Sequence, residues 1–373
     1  MEKEYALDYA KFSLQGTHYD IGQSIGKNLP QYKELYIYTI MSDCIDNKSF
    51  MQKRELMDEF CPGIYDEISG LADSLSVPVG KINIFSDDNI TVGACSQFVA
   101  MPEITTNGHI LVGRSYEYST DDELCLCITR ANGKPAHIGF SILLFGRFDG
   151  INEYGLTVSM SSCEFGQKPN GNGFWFPLVL RSILDNCKNV NEAIYLLKKI
   201  PIRSNVNILL ADKEENAVIV EIASLTDVKR ISFRKNDKYL IATNHYMNEE
   251  MTEYDKHRGR HSVLRYNIIQ KFFSENKGTV SVNNIKTILE QEIPGGVFCP
   301  YYEDYLGTLH SMVFDVSEIG VEICLGMPSN SKWERISFNS PIEISTKTEI
   351  VKNKHPENPS EFWSTLPPGS MET

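Results

Sequence analysis

Between Gly93 and Glu117 the chain sets a cysteine, an arginine and a carboxylate around one turn. β-Favouring runs at Phe98-Val99-Ala100 and His109-Ile110-Leu111-Val112 flank a turn-rich insert from Pro102 to Gly108. Asn107-Gly108 between two such runs is the strongest short-range hairpin signal a sequence carries. The reading is therefore two antiparallel strands, with Cys95 opening the first and Arg114 and Glu117 on the strand that returns beside it. Gly93 and Ala94 put little bulk before the cysteine, so little obstructs attack on its own peptide bond. Residues three apart face opposite sides of a regular strand. A bulge or a strand end is then needed to turn both Arg114 and Glu117 toward Cys95.

Before the hairpin the pattern is mostly helical. A strand is expected over 5–15, ended by Gly16. Thr17 is then an N-cap with Asp20 at the capping-box position, opening a helix over 18–29. From 33 to about 76 the pattern stays helical, with breaks near Asp46-Asn47 and Pro62-Gly63 and one apolar face at Ile64, Ile68, Leu71 and Leu75. After Cys95 strands are expected over 95–101, 109–118, 123–131, 136–145 and 155–161, then helices over 176–187 and 191–199. Strands follow at 205–212, 216–223, 228–235 and 239–243, helices at 258–273 and 282–291, and strands at 308–315, 320–325 and 334–338. The tail from Lys352, rich in Pro, Asn, Glu and Ser, reads as partly disordered. Blocks of strands and helices suit an α+β layer architecture better than an alternating parallel one. Pattern alone leaves open which layers stack.

Composition excludes several functions. With 36 basic and 49 acidic residues the net charge is −13, which disfavours a nucleic-acid partner. No run approaches the roughly 18 apolar residues that span a bilayer, and Met1-Glu2-Lys3-Glu4-Tyr5 lacks the pattern of a signal peptide. The expectation is a soluble, cytoplasmic protein with no membrane contact. Nine cysteines are scattered along the chain. Cys125 and Cys127, two apart, share one face of a strand, where a disulfide between them would be strained. No Cys/His cluster has zinc spacing, so no metal is expected. Apart from Cys95 the cysteines read as small buried hydrophobes.

Gly93-Ala94-Cys95-Ser96, a strand, a turn and then Gly113-Arg114-Ser115-Tyr116-Glu117 resemble the nucleophile hairpin of the N-terminal-nucleophile (Ntn) hydrolases. The resemblance is to the acyl-CoA:6-aminopenicillanic acid acyltransferase-like branch, related to choloylglycine hydrolases and acid ceramidases. Gln15-Gly16-Thr17, Tyr65-Asp66-Glu67-Ile68-Ser69-Gly70, Asn152-Glu153-Tyr154-Gly155-Leu156, Thr243-Asn244-His245 and Thr308-Leu309-His310-Ser311 fall in the same order as in those enzymes. It implies a four-layer αββα sandwich: a largely helical pro-segment over 1–94, a catalytic domain over 95–351 and a polar tail over 352–373. It also implies autocatalytic cleavage between Ala94 and Cys95. The freed α-amino group, with a pKa near about 7.7–8.0, would serve as base for its own thiol, near about 8.5. No separate catalytic histidine and no cofactor would then be needed.

In the same reading Arg114 stabilises the thiolate or fixes the substrate carbonyl, and Glu117, where the family usually has Asp, holds the free amine. Asn244 donates its amide to the oxyanion. Ser162 and Arg265 contact substrate. Arg265 is chosen over Arg258 and Arg260 for its apolar neighbours Tyr266, Ile268 and Ile269, and a solvated face is expected for the other two. His245 reads as structural or a pocket wall. Phe174, Trp175 and Phe176 either line an acyl pocket or start a core helix. The nucleophile is expected in a cleft, with a depressed pKa. The implied activity is that of a self-processing cysteine amidase or acyltransferase, acting on the linear non-peptide C–N bond of a small N-acyl amide through a thioester. Two alternatives stand beside it: an inactive acyl-ligand-binding protein of the same fold, and a conventional cysteine protease. The latter is disfavoured because no Cys-Gly-Ser-Cys segment is present. Oligomeric state, including a homo-oligomer, stays open.

Overall fold

The computed structural model describes residues 3–31, 39–41, 43–83, 94–163, 173–225, 228–236, 238–255, 257–328 and 331–372. Gly93, the expected helix start over 33–38 and the glycine-rich stretch at 170–172 lie outside the described residues.

β1 (Glu4–Gly16) leads into α1 (His18–Asn28), then α2 (Asn47–Phe60) and α3 (Ile64–Leu75). The expected capping box forms. Thr17 Oγ1 accepts from the Asp20 N–H at 3.1 Å, and Asp20 Oδ2 accepts from the Thr17 N–H at 3.1 Å. α1 and α3 then cross backbone against backbone. A Cβ on Gly22 would stand 1.8 Å from Glu67 O and one on Gly70 2.1 Å from Tyr19 O, so any side chain at either position would force the helices apart.

The hairpin is β2 (Ala94–Ala100) and β3 (Leu111–Tyr118), followed by β4 (Cys125–Ala131), β5 (His137–Ile142), β6 (Gly146–Arg147), β7 (Asp149–Asn152) and β8 (Thr157–Ser162). α4 (Phe176–Asn186) and α5 (Val190–Lys199) precede β9 (Val206–Ala211), β10 (Ala217–Leu225), β11 (Val228–Arg234) and β12 (Tyr239–Ala242). Next come β13 (Arg258–Gly259), α6 (Arg260–Glu275), α7 (Val282–Glu290), β14 (Pro300–Tyr301), β15 (Leu306–Asp315), β16 (Gly320–Leu325) and β17 (Glu334–Ile336). β18 (Ile344–Lys352), α8 (Pro359–Phe362) and β19 (Thr365–Leu366) close the chain. The strands β6, β7, β14, β18 and β19 have no counterpart in the expected elements, and β13 lies at the start of an expected helix.

Among the described residues the larger sheet runs β11-β10-β9-β8-β7-β5-β4-β1-β18, with β6 beside β5. The smaller runs β12-β2-β3-β15-β16-β17, with β14 beside β15. The sheets meet where β2 packs on β8 and β9 and β12 packs on β10. Tyr116 of β3 crosses the gap to Phe148, ring centroids 4.5 Å apart. α4 packs on β5 to β8, while α6 and α7 pack on β2, β12, β3 and β15. This is the αββα layer order that the resemblance implies. The packing supplies what periodicity left open.

The tail departs from the disorder expected of it. Apolar anchors explain the difference: Leu366 is buried, and Phe362 and Trp363 are half-buried, against Tyr301 and His261. Three such side chains in a polar stretch suffice to dock it, with β19 paired to β13. Phe174 and Phe176 belong to the core, the second of the two readings open for them.

Candidate active site

Strand pairing decides which face each residue of the hairpin serves. Cys95 stands opposite Tyr116, Gln97 opposite Arg114 and Ala94 opposite Glu117, in unbroken register. Side chains alternate. Cys95, Gln97, Arg114 and Tyr116 therefore face the larger sheet, while Ser96, Ser115 and Glu117 face the helices. The bulge expected to bring Arg114 and Glu117 together is absent from this pair; a register shift lies instead in β15, between Thr308 and His310. The two charged residues serve opposite faces of one residue, Cys95.

On the sheet side the Cys95 thiol lies beside the Arg114 guanidinium. Arg114 Nε is 3.5 Å from Asp149 Oδ2, and His310 Nε2 is 3.3 Å from the same oxygen. Asp149 Oδ1 accepts from the Phe140 N–H at 3.1 Å, and the Phe140 ring stacks on His310 at 3.6 Å. All of these side chains are buried. Burial penalises the Asp149 carboxylate, but His310 and Arg114 together hold its pKa below the ordinary value. Burial also pushes the Cys95 thiol up to about 11, against the opposing pull of Arg114. The expected exposed thiol of low pKa is thus corrected for the uncut chain: Cys95 is 1% exposed, and desolvation outweighs the nearby cation. Among the described cysteines Cys44 is the exposed one, against the expectation of burial.

On the main-chain side a missing strand is replaced by side chains. β12 pairs with β2 only as far as Ala242 opposite Gln97, and then the chain turns away. The outward N–H and C=O of Cys95 lie beyond its reach. Asn244 Oδ1 accepts from the Cys95 N–H at 3.0 Å, and Arg265 Nη1 donates to Cys95 O at 2.7 Å. Arg265 Nη2 donates to Asn244 Oδ1 at 2.8 Å, which fixes that amide with its oxygen toward Cys95. Asn244 Nδ2 donates to Ser162 O at 3.0 Å and has Ser162 Oγ at 3.5 Å. The Asn244 backbone is held in turn by Ser262 Oγ at 2.8 Å.

Glu117 faces Arg265, with Oε2 3.5 Å from Nη1, and its Oε1 takes the hydroxyls of Ser115 and Thr308. Burial raises its pKa while Arg265 pulls it back. Glu117 Oε2 has no hydrogen-bond partner among the described residues. Arg258 is not on a solvated face: it is buried, pairs with Asp255 at 2.8 Å and donates to Tyr246 O. Arg260 is half-buried and donates to Ser364 Oγ at 3.0 Å. His245 is buried between Ser262 Oγ at 2.8 Å and Thr243 Oγ1 at 3.2 Å, and burial drives its pKa well down.

Sequence reasoning missed Asp149 and Gln97. Asp149 sits in Arg147-Phe148-Asp149-Gly150, which reads as a turn and carries no period-2 signal. Gln97 donates to Ser161 Oγ and to Asn207 O, both at 3.1 Å, and so ties β2 to the facing sheet two residues from the thiol. A long polar side chain in a mostly apolar strand was the available signal. Among the described residues no group of three or more His, Cys, Asp or Glu could hold a metal ion, and no helix is long and apolar enough to cross a membrane.

Residues 104–330 match the family described as acyl-coenzyme A:6-aminopenicillanic acid acyl-transferase, a span of more than half the chain that begins after Cys95 and holds Arg114, Glu117, Asn244 and Arg265. Penicillin V acylase from Agrobacterium tumefaciens is 17% identical, covers 64% of this chain and 85% of its own, and superposes with a TM-score of 0.46. A mutant of the conjugated bile acid hydrolase from Clostridium perfringens is 11% identical over 70% of this chain and 97% of its own, TM-score 0.45. The Caenorhabditis elegans ortholog of N-acylethanolamine-hydrolyzing acid amidase is 16% identical over 60% and 93%, TM-score 0.41. No curated protein matches the sequence.

Proposed function

The chain belongs to the acyl-coenzyme A:6-aminopenicillanic acid acyl-transferase family, and from that premise we propose that it is a self-processing amidase or acyltransferase with Cys95 as nucleophile. The family places it among enzymes that break or make linear amide C–N bonds. What carries the finer reading is the division of labour at Cys95: its thiol lies beside Arg114, and its backbone N–H is held by Asn244 Oδ1 at 3.0 Å. One residue presents both a nucleophile and the nitrogen that becomes a base.

In processing, the Cys95 thiol adds to the Ala94 carbonyl carbon and the Ala94–Cys95 C–N bond breaks. The thiol proton ends on the departing nitrogen, and Ala94 is left as a thioester on Sγ. Water then releases the Ala94 carboxylate, restoring the thiol beside a free α-amine. In turnover the amine takes the thiol proton and the thiolate adds to the acyl carbonyl of an N-acyl amide. The α-ammonium returns the proton to the leaving nitrogen as the C–N bond breaks. Water as acceptor gives a carboxylic acid, and an amine gives a new amide.

The contacts support a role for each neighbour. Arg114 favours the thiolate over the thiol. Asn244 Oδ1 orients the amine, the task the resemblance implies for Glu117, whose carboxylate faces Arg265. One Asn244 Nδ2–H is committed to Ser162 O; the second has only Ser162 Oγ at 3.5 Å and is the donor available to an oxyanion. Arg265 locks the Asn244 amide and the Cys95 carbonyl in place.

Denaturing mass spectrometry tests the reading. Wild type should separate into two fragments divided between Ala94 and Cys95, and Cys95→Ala should stay whole. A wild type that remains intact through long incubation at neutral pH, or a Cys95→Ala protein that still turns over N-acyl amides, would overturn it.

A further inference from the structure

The larger sheet ends in β18, which has β1 on one side in unbroken register, from Glu4 opposite Lys352 to Phe12 opposite Ile344. Among the described residues no strand pairs with its other side. The chain on both flanks is drawn inward and leaves that edge clear. Before β18, Arg130 donates to Phe338 O at 2.8 Å and to Ser340 O at 2.6 Å, and the Ser13 N–H donates to Glu343 O at 2.9 Å. After it, the Asn353 N–H donates to Lys3 O at 2.8 Å and the Lys354 N–H to Pro300 O at 2.9 Å. What stands open is a strand of 9 residues with Thr346, Lys347, Thr348 and Ile350 exposed. An edge of that length is a template for another strand.

We propose that β18 pairs antiparallel with β18 of a second copy of this chain about a two-fold axis at Thr348, joining two larger sheets into one. A charged edge ordinarily repels foreign strands; here the order of side chains admits its own reverse. Residues paired across an antiparallel ladder share a face, so the axis has to pass through a residue. At Lys347 or Glu349 it would set that charge against its own copy. At Thr346 or Ile350 little more than half the strand overlaps, and the Thr346 register also opposes Glu343 to Glu349. At Thr348 all 9 residues pair, from Ile344 opposite Lys352 inward, and Lys347 stands opposite Glu349 of the second copy. Within one copy Lys347 Nζ already lies 3.1 Å from Glu349 Oε1 and 2.7 Å from Glu334 Oε1 of β17. The dimer closes this row into a quartet whose signs alternate along and across the strands. On the other face Thr348 meets Thr348, and Thr346 meets Ile350, which is 54% exposed in the single chain. The pairing uses neither face of Cys95 and does not depend on cleavage.

Sedimentation equilibrium of the full chain, in a Cys95→Ala background so that cleavage stays out of the mass, should show a dimer. Lys347→Glu turns both symmetric cross-strand pairs repulsive and should raise the dissociation constant by about tenfold or more, as should Glu349→Lys. Lys347→Glu combined with Glu349→Lys restores the alternation and should return it to within about threefold of the parent. Circular dichroism of each variant checks that the chain stays folded. Thr348→Cys sets a thiol against its own copy across the axis, with Cα atoms about 4.5–5.5 Å apart, inside disulfide range. Mild oxidation should then give a reducible band of doubled mass beyond the parent's background. Thr346→Cys leaves the two thiols about 14 Å apart along the strands and should add none. A parent that sediments as a monomer throughout the micromolar range overturns the pairing. So does a dimer indifferent to both single charge variants, a double variant no tighter than the singles, or cross-linking at Thr348→Cys no better than at Thr346→Cys.

Discussion

Arg265→Leu separates two roles for Glu117, and the structure gives the size of the effect. Arg265 is fully buried and donates to Cys95 O, Ser96 Oγ and Asn244 Oδ1 at 2.7, 2.9 and 2.8 Å. It is also the cation that faces the buried Glu117, 3.5 Å away. Removing one partner of a buried pair costs about 3–5 kcal/mol, because the remaining charge is left uncompensated. The three acceptors left short of a donor place this case at the upper end. A chain with roughly 5–15 kcal/mol of stability keeps its fold under that loss. Adding Glu117→Gln removes the stranded charge at nearly constant shape, so the double variant should recover about 2 kcal/mol over Arg265→Leu alone.

The pH dependence has a definite sign. Burial already raises the Glu117 pKa in the folded state, and losing Arg265 raises it further. A folded state that binds the proton more tightly than the unfolded chain is favoured by acid. The Arg265→Leu deficit should therefore be smallest at the pH of an ordinary carboxyl, about 4.3, and grow toward neutrality. Urea unfolding at pH 5 and pH 8, in a Cys95→Ala background so that cleavage does not intrude, measures it. A deficit equal at both pH values, or a double variant no more stable than the single, would refute the pairing and return Glu117 to the role of holding the amine.

Asn244→Ala should lower kcat by on the order of 10²–10³, the scale for an oxyanion donor, with KM little changed once rates are corrected for the processed fraction. Undiminished kcat in folded, processed protein would move the oxyanion role to backbone donors near Ser162. Acid should also unfold the chain through its buried histidines. Burial lowers His137 to about 4 and His261 to about 3, each below its unfolded value of about 6.5. Stability is then complete above about 6.5 and falls as the pH drops toward 4, approaching about 1.4 kcal/mol per pH unit for each histidine engaged. Urea midpoints that stay flat from pH 7 to 4.5 would show that these imidazoles are not held neutral.

Local chemistry was legible in the sequence and long-range chemistry was not. Thr17 and Asp20 stand three apart and form their box from that spacing alone. The hairpin followed from Asn107-Gly108, and with it the closeness of Cys95 and Arg114. Arg265 was separated from Arg258 and Arg260 by its apolar neighbours, a helix-face signal that also reports burial. The same reasoning misjudged Arg258, whose partner Asp255 is local but whose acceptor, Tyr246 O, comes from another element. The amine role of Glu117 is what the resemblance implies, and nothing in the hairpin sequence tests it. Strand alternation puts Glu117 on the opposite face from the thiol, where the decisive neighbour is an arginine 148 positions later in the sequence. Asp149 had no sequence signal, because His310, 161 residues away, is what gives it meaning.

A cut before Cys95 would divide the chain covalently without dividing the fold. β1 lies inside the larger sheet, parallel to β4 from Ala10 opposite Cys125 to Gly16 opposite Ala131, and antiparallel to β18. Without it β18 has no partner and Leu7 and Phe12, both 0% exposed, have no core to enter. The helices that follow β1 are anchored as firmly. Glu67 of α3 is buried and pairs with Arg181 of α4 at 2.9 Å and with His18 of α1 at 2.9 Å. Arg181 Nε is in turn 2.7 Å from Asp185. Withdrawing the first segment would strand a guanidinium in the core beside a single carboxylate, at a cost of several kcal/mol on top of the apolar surface exposed. Both fragments should therefore travel as one particle through any native separation. A size-exclusion profile that matches the uncut chain says nothing about processing; the test has to be made under denaturing conditions, where the sheet no longer holds the pieces together.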